Sequence, residues 1–246
     1  MRQSMLFASA SSPFESATNR VKAKLSLNSM KVYAIIVAGG KGRRFGGMKQ
    51  FFTFKGKPIL VHTIEIFERN KNVNSIILVV PPRMIGRTKM LLKTYELKKI
   101  EKIVPGGKRR QNSVLNGMKA IEKKDAIVVI HDAVRPFVSQ NLINRGIRLC
   151  KKYQAVIFGL PVFETVKYAR RNRVIKTVSR EGLFTIQTPQ VFQYQYLYSA
   201  YEKVDFKKNF TDESQILESA GLPVYIFKGE VKNIKITTRE DLTKAI

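Results

Sequence analysis

An α/β fold with a mostly parallel sheet and helices on both faces is predicted for this chain of 246 residues. First, short runs rich in β-branched residues alternate with segments of helical period from Val32 onward, which is typical of strands connected by helices. Second, these runs are apolar throughout, as expected for strands that are buried on both faces. Third, 44% of the residues are hydrophobic, which is enough to form a sizeable core.

The predicted strands and helices follow one another in a regular order. Strands are predicted at VYAIIVA (32–38), SIILVV (75–80), AIVVIHDA (126–133) and AVIFGLP (155–161). Amphipathic helices are predicted between them, at PILVHTIEIFERN (58–70), RMIGRTKMLLKTYELKK (83–99), QNSVLNGMKAIEKK (111–124) and NLINRGIRLCKKY (141–153). Ligands of such sheets bind beyond the carboxyl ends of the strands. Two glycine-rich loops and the segment HDAVRP all fall at such ends.

The alternation of predicted strands and helices ends after Leu160. The segment FETVKYARRNRVIKTVSREGLF predicts two short strands about a basic turn at residues 170–173. We therefore expect a β-arm at about residues 161–184 that projects from the sheet. A long basic hairpin cannot bury itself, so it either covers its own subunit or embraces a partner.

Residues 1–30 differ in composition from the rest of the chain. They are rich in Ser and Ala and contain a single acidic residue, Glu15. They are interpreted as an N-terminal extension of a domain at 31–246. A disordered tail, a misassigned start and a transit peptide are all open as explanations.

The composition excludes several classes of protein. One cysteine, Cys150, excludes disulfide frameworks and cysteine-based zinc sites, and the two histidines leave no histidine-rich metal cluster. No apolar run is long enough to cross a membrane. A cytoplasmic protein without a membrane partner is expected, or a plastid one if residues 1–30 are a transit peptide.

The formal net charge of +27 implies attraction to anions such as phosphates or nucleic acid. The basic residues recur along the whole chain, however, and no reader module for nucleic acid is recognisable. A nucleic-acid partner is therefore not expected, and most of these charges are interpreted as a solvated surface.

The first glycine loop, AGGKGRR, follows the first strand directly. Backbone N–H groups can wrap an oligophosphate where side chains do not intrude. The loop fits neither the dinucleotide fingerprint, which needs glycine where Phe45 stands, nor the P-loop. Arg44 and Lys49 follow it, and such cations are what phosphoryl or nucleotidyl transfer requires. A plain tight turn with solvated basic residues is the alternative.

Seven segments together resemble one enzyme family. In order they are VAGGKGRRF…KQFF, VPGGKRRQNSVLNG, VVIHDAVRPFV, ETVK, TVSREGLFTIQTPQVF, FTDES and NIKITTREDL. Their order and spacing are similar to those of the 2-C-methyl-D-erythritol 4-phosphate cytidylyltransferases of non-mevalonate isoprenoid biosynthesis. The resemblance implies a Rossmann-like nucleotidyltransferase core and a homodimer clasped by β-arms. It also implies Mg²⁺ as cofactor, with CTP and methylerythritol phosphate as substrates that give CDP-methylerythritol and pyrophosphate.

The resemblance assigns roles to individual residues. The expected catalytic residues are Arg44, Lys49, Arg180 and Lys235. The expected nucleotide-binding residues are Ala38, Gly39, Gly40, Gly42, Gly106, Gly107 and Ser113. The expected substrate-binding residues are Asp132, Arg135, Thr165, Arg180, Thr188, Thr211 and Lys235, with Asp132 also expected at the metal. Because the arm reaches across the dimer in this family, Thr165 and Arg180 are expected to serve the partner's active site.

Some of these residues have structural alternatives. Ser113 has the residue type of an N-terminal helix cap, and Asp132 that of a strand-end Asx turn supported by Arg135. His131 is expected to be a packed strand residue rather than a base. One departure from the family pattern stands before Lys49, where Met48 replaces the usual proline that would stiffen the loop.

Two other functions stay open at this point. A sibling enzyme that uses CTP with another polyol phosphate, such as ribitol 5-phosphate, would share the loop, HDA-R-P and TPQ elements. A nucleic-acid-binding protein is the alternative from a different class, and it would bind strands with a steep dependence on salt.

Overall fold

The computed structural model describes residues 30–40 and 42–245, and residues 1–29, on which the predicted N-terminal extension falls, lie outside the described part. One compact unit begins at Lys31. Its centre is a seven-stranded sheet in the order β11-β7-β10-β6-β1-β4-β5. These strands are β1 (Lys31–Val37), β4 (Ser75–Val80), β5 (Ile100–Pro105), β6 (Ala126–Asp132), β7 (Ala155–Pro161), β10 (Phe184–Gln193) and β11 (Tyr225–Lys228).

The sheet is parallel except at β10. Strand β1 pairs in parallel with β4 and β6, β4 with β5, and β7 with β11. Strand β10 runs antiparallel to both of its neighbours, β6 and β7. The predicted α/β fold with a mostly parallel sheet is confirmed. In this arrangement the carboxyl ends of β1, β4, β5 and β6 lie at one edge of the sheet.

Six α-helices accompany the sheet in the described part of the chain. They are α1 (Ile59–Glu68), α2 (Ile85–Thr94), α3 (Arg110–Lys119), α4 (Gln140–Tyr153), α5 (Tyr194–Lys203) and α6 (Glu213–Ser219). Short 3-10 helices occur at Arg43–Phe45, Lys49–Phe51, Pro82–Met84 and Glu240–Ala245, and a small hairpin of β2 (Thr53–Phe54) and β3 (Lys57–Pro58) precedes α1. The first four α-helices match the four segments of helical period, except that α3 and α4 each begin one residue earlier.

The apolar strands are buried because helices cover both faces of the sheet. Tyr33 and Ile35 of β1 belong to a cluster with side chains of α3, α5 and α6. The alternate residues of β1 point to the opposite face, and Ile36 there is also fully buried. On that side α4 packs against β6, β7 and β10.

Helix α3 packs closely against β1. Gly117 faces the sheet, and a Cβ atom placed on it would lie 2.7 Å from Cγ2 of Ile35 and 3.1 Å from Cγ2 of Val79. Glycine is required here by the approach of the helix to the strands. This contact fixes the start of α3, which carries residues of the functional site, above the end of β1.

The β-arm is a separate two-stranded hairpin of β8 (Val166–Arg170) and β9 (Arg173–Val178). Its turn residues Arg171 and Asn172 have φ values of 48° and 62°, the left-handed conformation typical of two-residue hairpin turns. The predicted pair of strands about a basic turn is confirmed. Apolar side chains of the arm and its base are exposed, namely Phe163, Tyr168, Val174, Ile175, Leu183 and Phe184.

Replacement of Gly117 by valine is expected to lower the free energy of unfolding by about 1–3 kcal/mol, the usual cost of overpacking a filled core. Gly86 in α2 provides the matched control, since a Cβ there meets nothing within 4 Å. Gly86→Val should change stability by less than about 0.5 kcal/mol. Urea denaturation of both variants measures this, and equal stabilities would contradict the assigned packing.

Candidate active site

A cleft of about 710 Å³ lies at the carboxyl ends of the central strands. It is formed by the loop after β1, the start of α3, the end of β6 and the segment after β11. The residues that line it are Val37, Ala38, Gly39, Gly40, Gly42, Arg43, Arg44, Lys49, Gln50, Gly107, Lys108, Arg109, Arg110, Ser113, Asp132, Val134, Lys235 and Thr237. The topology therefore brings together residues that are far apart in the sequence.

The first glycine loop forms one wall of this cleft. Its start is fixed by the N–H of Ala38, which donates to the carbonyl oxygen of Val79 at 2.7 Å. Gly42 has φ of 63°, and a Cβ atom on it would lie 1.6 Å from the carbonyl oxygen of Gly47. Gly42 is therefore required by the turn itself, whereas nothing lies within 4 Å of a Cβ placed on Gly40. The open side of the loop at Gly40 faces the cleft.

Gln50 holds this loop in place. Its side chain is 2% exposed, and its amide Nε2 donates to the carbonyl oxygens of Ala38 at 2.7 Å and Gly40 at 3.2 Å. Both carbonyls are thereby turned toward Gln50, and these two hydrogen bonds fix the conformation of the loop. Sequence analysis did not single out Gln50, although it stands beside Lys49 in the KQFF segment.

Arg44 and Lys49, the two residues expected to be catalytic in this segment, both line the cleft next to the first glycine loop. Burial lowers the pKa of Lys49, and the nearby charges of Lys235 and Arg44 lower it further. Met48, which precedes Lys49, has φ of −72°, a value that proline also adopts. The turn that presents Lys49 therefore forms without the proline of the family pattern.

The second glycine loop, PGGKR (105–109), is connected to the start of α3 through Ser113. The hydroxyl Oγ of Ser113 accepts from the N–H of Gly107 at 3.0 Å and donates to the carbonyl oxygen of Arg109 at 3.2 Å. Arg109, not Ser113, is the N-cap of α3, so the helix-cap alternative is wrong. Gly107 is required because a Cβ atom there would lie 2.3 Å from Cβ of Asn112.

Gly106 lies beside this cleft rather than in it. It lines an adjoining cavity of about 540 Å³ together with Gly39, Gly40, Gly107 and Arg83, among others. Gly39, Gly40 and Gly107 line both cavities, so the space over the two loops is continuous.

Arg109 ties the second loop to the segment between α5 and α6. Its Nη1 donates to three backbone carbonyl oxygens, those of Phe206, Lys207 and Lys208, at 3.1, 2.7 and 2.9 Å. Gln111 adds a bond from its Nε2 to Lys208. The segment that leads to Thr211 is thereby anchored to the loop that contains Gly107.

Asp132 is the last residue of β6, and its carboxylate is surrounded by cations. Nζ of Lys235 lies 2.8 Å from Oδ2, Nε of Arg135 lies 3.6 Å from the same oxygen, and Nε of Arg110 lies 3.8 Å from Oδ1. Burial alone would raise the pKa of Asp132, but Lys235, Arg110 and Arg135 outweigh it and hold the pKa well below its usual range. Asp132 is therefore a carboxylate anion throughout the physiological range.

His131 is fully buried behind Asp132 and confirms the expectation of a packed strand residue. Its Nδ1 lies 3.1 Å from Oγ1 of Thr188, and its Nε2 lies 3.1 Å from the carbonyl oxygen of Arg135. Burial lowers the pKa of His131 to about 4, so the ring is neutral. The same Thr188 hydroxyl accepts from the N–H of Asp132 at 3.1 Å.

Several predicted residues do not line this cleft. Arg135 and Thr188 are buried behind Asp132, and Arg135 donates to the carbonyl oxygen of Asn233. Thr211 is exposed and hydrogen-bonds to Gln215. Thr165 and Arg180 belong to the exposed base of the arm, where Arg180 donates to the carbonyl oxygen of Phe163. The Asx-turn alternative for Asp132 finds no side-chain hydrogen bond to the following backbone among the described residues.

Two charged residues of the site were missed in the sequence. Arg110 lines the cleft, and Glu213 at the start of α6 is its buried partner, with Nη1 to Oε1 and Oε2 distances of 2.6 and 2.7 Å. Both stand in segments that carry the family resemblance, RRQNS and FTDES. Only the fold brings them together, since 103 positions separate them.

The described part of the chain contains neither a cluster of metal-ligating side chains nor a helix that could span a membrane. Among residues 30–40 and 42–245, no group of three His, Cys, Asp or Glu side chains could hold a metal ion without help from a ligand. In the same part of the chain, no helix is long and apolar enough to span a membrane.

A parallel α/β sheet, a glycine loop after its first strand and cations around one strand-end carboxylate are features of a nucleotidyltransferase, and this chain is one. The family model for IspD, 2-C-methyl-D-erythritol 4-phosphate cytidylyltransferase, matches residues 32–246. The chain belongs to this family.

Relatives and solved structures agree with the family model. The 2-C-methyl-D-erythritol 4-phosphate cytidylyltransferase of Clostridium botulinum is 42% identical over 212 residues, which are 85% of this chain and 93% of that protein. That of Dictyoglomus thermophilum is 40% identical over 86% of this chain and 94% of that protein. The crystal structure of 4-diphosphocytidyl-2C-methyl-D-erythritol synthase from Anaerococcus prevotii has a TM-score of 0.77 at 33% identity and covers 90% and 96% of the two chains.

Replacement of Gln50 by glutamate is expected to destabilise the fold by about 1–3 kcal/mol, because an acceptor of the same shape would face the buried carbonyl oxygen of Ala38 and the partly buried one of Gly40. The amides of the first glycine loop should exchange with solvent faster at the same time. Denaturation and hydrogen exchange measure the two effects. Gln195→Glu is a control at an exposed position of α5, and the prediction is wrong if both variants behave alike.

Proposed function

We propose that the cleft binds CTP and 2-C-methyl-D-erythritol 4-phosphate and transfers the CMP group to the sugar phosphate. One observation carries the proposal. Arg44, Lys49 and Lys235 line a single cleft with the first glycine loop and with the carboxylate of Asp132. Cations beside a glycine-rich loop suit a triphosphate, and the activity named for the family requires such a ligand.

The two glycine loops divide the nucleotide between them. Ala38, Gly39, Gly40 and Gly42 would lie against the triphosphate and ribose. Gly106, Gly107 and Ser113 would lie against the base, where close backbone approach favours a pyrimidine over a purine. This division is supported by the position of Gly107 and Ser113, which are hydrogen-bonded to each other and line the same cleft as the first loop.

The transfer itself needs positioning and charge more than a general base. An oxygen of the methylerythritol phosphate, already anionic at neutral pH, attacks the α-phosphorus of CTP. The bond from that phosphorus to the bridging oxygen breaks, and pyrophosphate leaves with the electron pair. Arg44 and Lys49 would stabilise the negative charge on the phosphorus oxygens and the leaving group. Lys235 and Arg180 would hold the two anions in line.

Magnesium fits the cleft as an ion shared with the substrate. Mg²⁺ in nucleotide enzymes is held by one or two carboxylates together with substrate phosphates. Asp132 is the one carboxylate among the described residues that line the cleft, and it is ionised. Bound there, Mg²⁺ would neutralise charge on the triphosphate. The rigid support of Asp132 by Thr188 and Arg135 would keep its carboxylate in position for this ligand.

The arm supplies the remaining groups if two chains pair through it. Thr165 and Arg180 lie away from the cleft of their own chain, on an arm that exposes Tyr168, Val174 and Ile175. An apolar exposed hairpin of this kind suits a partner of the same chain. We therefore propose a homodimer in which Thr165 and Arg180 reach the partner's site, with Thr211 as a further contact to the sugar phosphate. Thr188 supports Asp132 from behind through the backbone N–H of that residue.

The two alternatives from the sequence are not favoured. The matching family and the named relatives are methylerythritol phosphate enzymes, which does not support ribitol 5-phosphate as the acceptor or a nucleic-acid-binding protein. The expected cytoplasmic location belongs to the same proposal, because CTP and sugar phosphates are intracellular metabolites.

Pyrophosphate release with Mg²⁺ is the direct test. Turnover is expected with CTP and methylerythritol phosphate, and not with ATP, GTP or UTP, nor without an acceptor. Turnover with ribitol 5-phosphate in place of methylerythritol phosphate would move the protein to the sibling activity.

Arg44→Ala and Lys49→Ala are each expected to lower kcat by about 10²- to 10³-fold, as for the loss of a group that stabilises transition-state charge. Lys119→Ala, an exposed lysine outside the cleft on α3, is the matched control and should retain the wild-type rate. Steady-state kinetics at saturating substrates provide the comparison. Rates within about threefold of wild type for Arg44→Ala and Lys49→Ala would remove both from the catalytic site.

Mixed dimers test the arm. Arg180→Ala and Lys49→Ala chains should each be inactive alone, while their random mixture should regain about a quarter of the wild-type activity. The reason is symmetry: half of the dimers are mixed, and one of their two sites keeps both residues. No gain on mixing, with dimers confirmed by sedimentation, would place Arg180 in its own chain's site.

A further inference from the structure

Glu213 is the buried acidic residue of the site that the proposed function leaves without a role. It is the first residue of α6 and is 0% exposed. Both of its carboxylate oxygens accept from the same atom, Nη1 of Arg110, at 2.6 and 2.7 Å. A buried ion pair is weak as a source of stability, because desolvation offsets its Coulomb attraction. The pair therefore calls for a functional explanation.

The other end of Arg110 faces Asp132. Nε of Arg110 lies 3.8 Å from Oδ1 of Asp132, a distance too long for a hydrogen bond. The other cations near this carboxylate, Lys235 and Arg135, are on Oδ2. Oδ1 is therefore the oxygen that no side chain of the described residues caps at hydrogen-bonding distance.

We propose that Glu213 is a positioning residue that restrains Arg110, so that Oδ1 of Asp132 stays open for the divalent cation that accompanies CTP. This inference rests on the proposed function, and specifically on Mg²⁺ at Asp132. Glu213 acts through Arg110 and does not touch the substrates.

Arg110 lies near two carboxylates, those of Glu213 and Asp132, and the restraint depends on which of them it binds. With Glu213 in place, Nη1 of the guanidinium is hydrogen-bonded to the buried carboxylate, and Nε stays 3.8 Å from Oδ1 of Asp132. Without the charge of Glu213, the carboxylate left within reach is that of Asp132. Arg110 would then form a charge-assisted hydrogen bond to Oδ1, and a cation on this oxygen competes directly with a metal ion.

Glu213→Gln tests this by CTP binding, measured by calorimetry with and without Mg²⁺ and with no acceptor present. The gain in CTP affinity that Mg²⁺ gives to the wild type should shrink about tenfold, the usual scale for a residue that orients a metal ligand. Affinity without Mg²⁺ should change by less than about twofold. Glu218→Gln removes the same charge from an exposed position of the same helix and should leave both affinities unchanged.

A second substitution separates positioning from mere support of the fold. In Arg110→Gln/Glu213→Gln the restrained cation is absent, so Oδ1 should be open again and the Mg²⁺-dependent gain should return to within about threefold of wild type. This double variant also has no unpaired buried charge, so it remains usable if Glu213→Gln alone fails to fold. A structural role for Glu213 predicts no such recovery.

The outcomes distinguish the two levels of the argument. A wild type that binds CTP equally with and without Mg²⁺ would overturn the metal role of Asp132 and this inference with it. A clear gain in the wild type that is equally large in Glu213→Gln, or a double variant whose gain is tenfold below wild type, would overturn the inference alone.

Discussion

The carboxylate of Asp132, held at the end of a buried strand, is the constraint on which the rest of the site depends. A negative charge in such a place is costly unless cations compensate it, and Lys235, Arg135 and Arg110 do so from three different parts of the chain. Arg135 and Arg110 are in turn held by their own neighbours, the carbonyl oxygen of Asn233 and the carboxylate of Glu213. The site is thus a network of charges in which no member can be moved without disturbing the others.

Two different devices shape the walls around this charge. The glycine loops supply backbone N–H groups, and they keep their conformation through internal contacts such as the amide of Gln50 and the hydroxyl of Ser113. The fixed cations Arg44 and Lys49 stand at the rim, where burial keeps the pKa of Lys49 lowered. The sheet makes this possible because parallel strands end at one edge, so that loops distant in the sequence meet there.

The sequence predicts the fold well where a single physical signal dominates. The apolar runs of β1, β4, β6 and β7 and the basic turn at Arg171 and Asn172 are such signals. It predicts less where several signals compete: β5 lies at the sheet edge and contains the charged residues Glu101 and Lys102, and β10 runs antiparallel to its neighbours. In the site, the glycines, Lys49 and Asp132 follow from local motifs. Glu213 and Gln50 do not, because a buried partner is defined only by the tertiary contact.

Arg109 couples two parts of the site that are far apart in the sequence. Its guanidinium clamps three successive carbonyl groups of the segment before Thr211 onto the second glycine loop. These hydrogen bonds connect the loop proposed to contact the base with the segment proposed to contact the sugar phosphate. The two are therefore expected to move together. A first ligand that orders the second glycine loop therefore also orders the segment before Thr211, which the second ligand contacts. The conformational entropy of ordering these two segments is then lost only once.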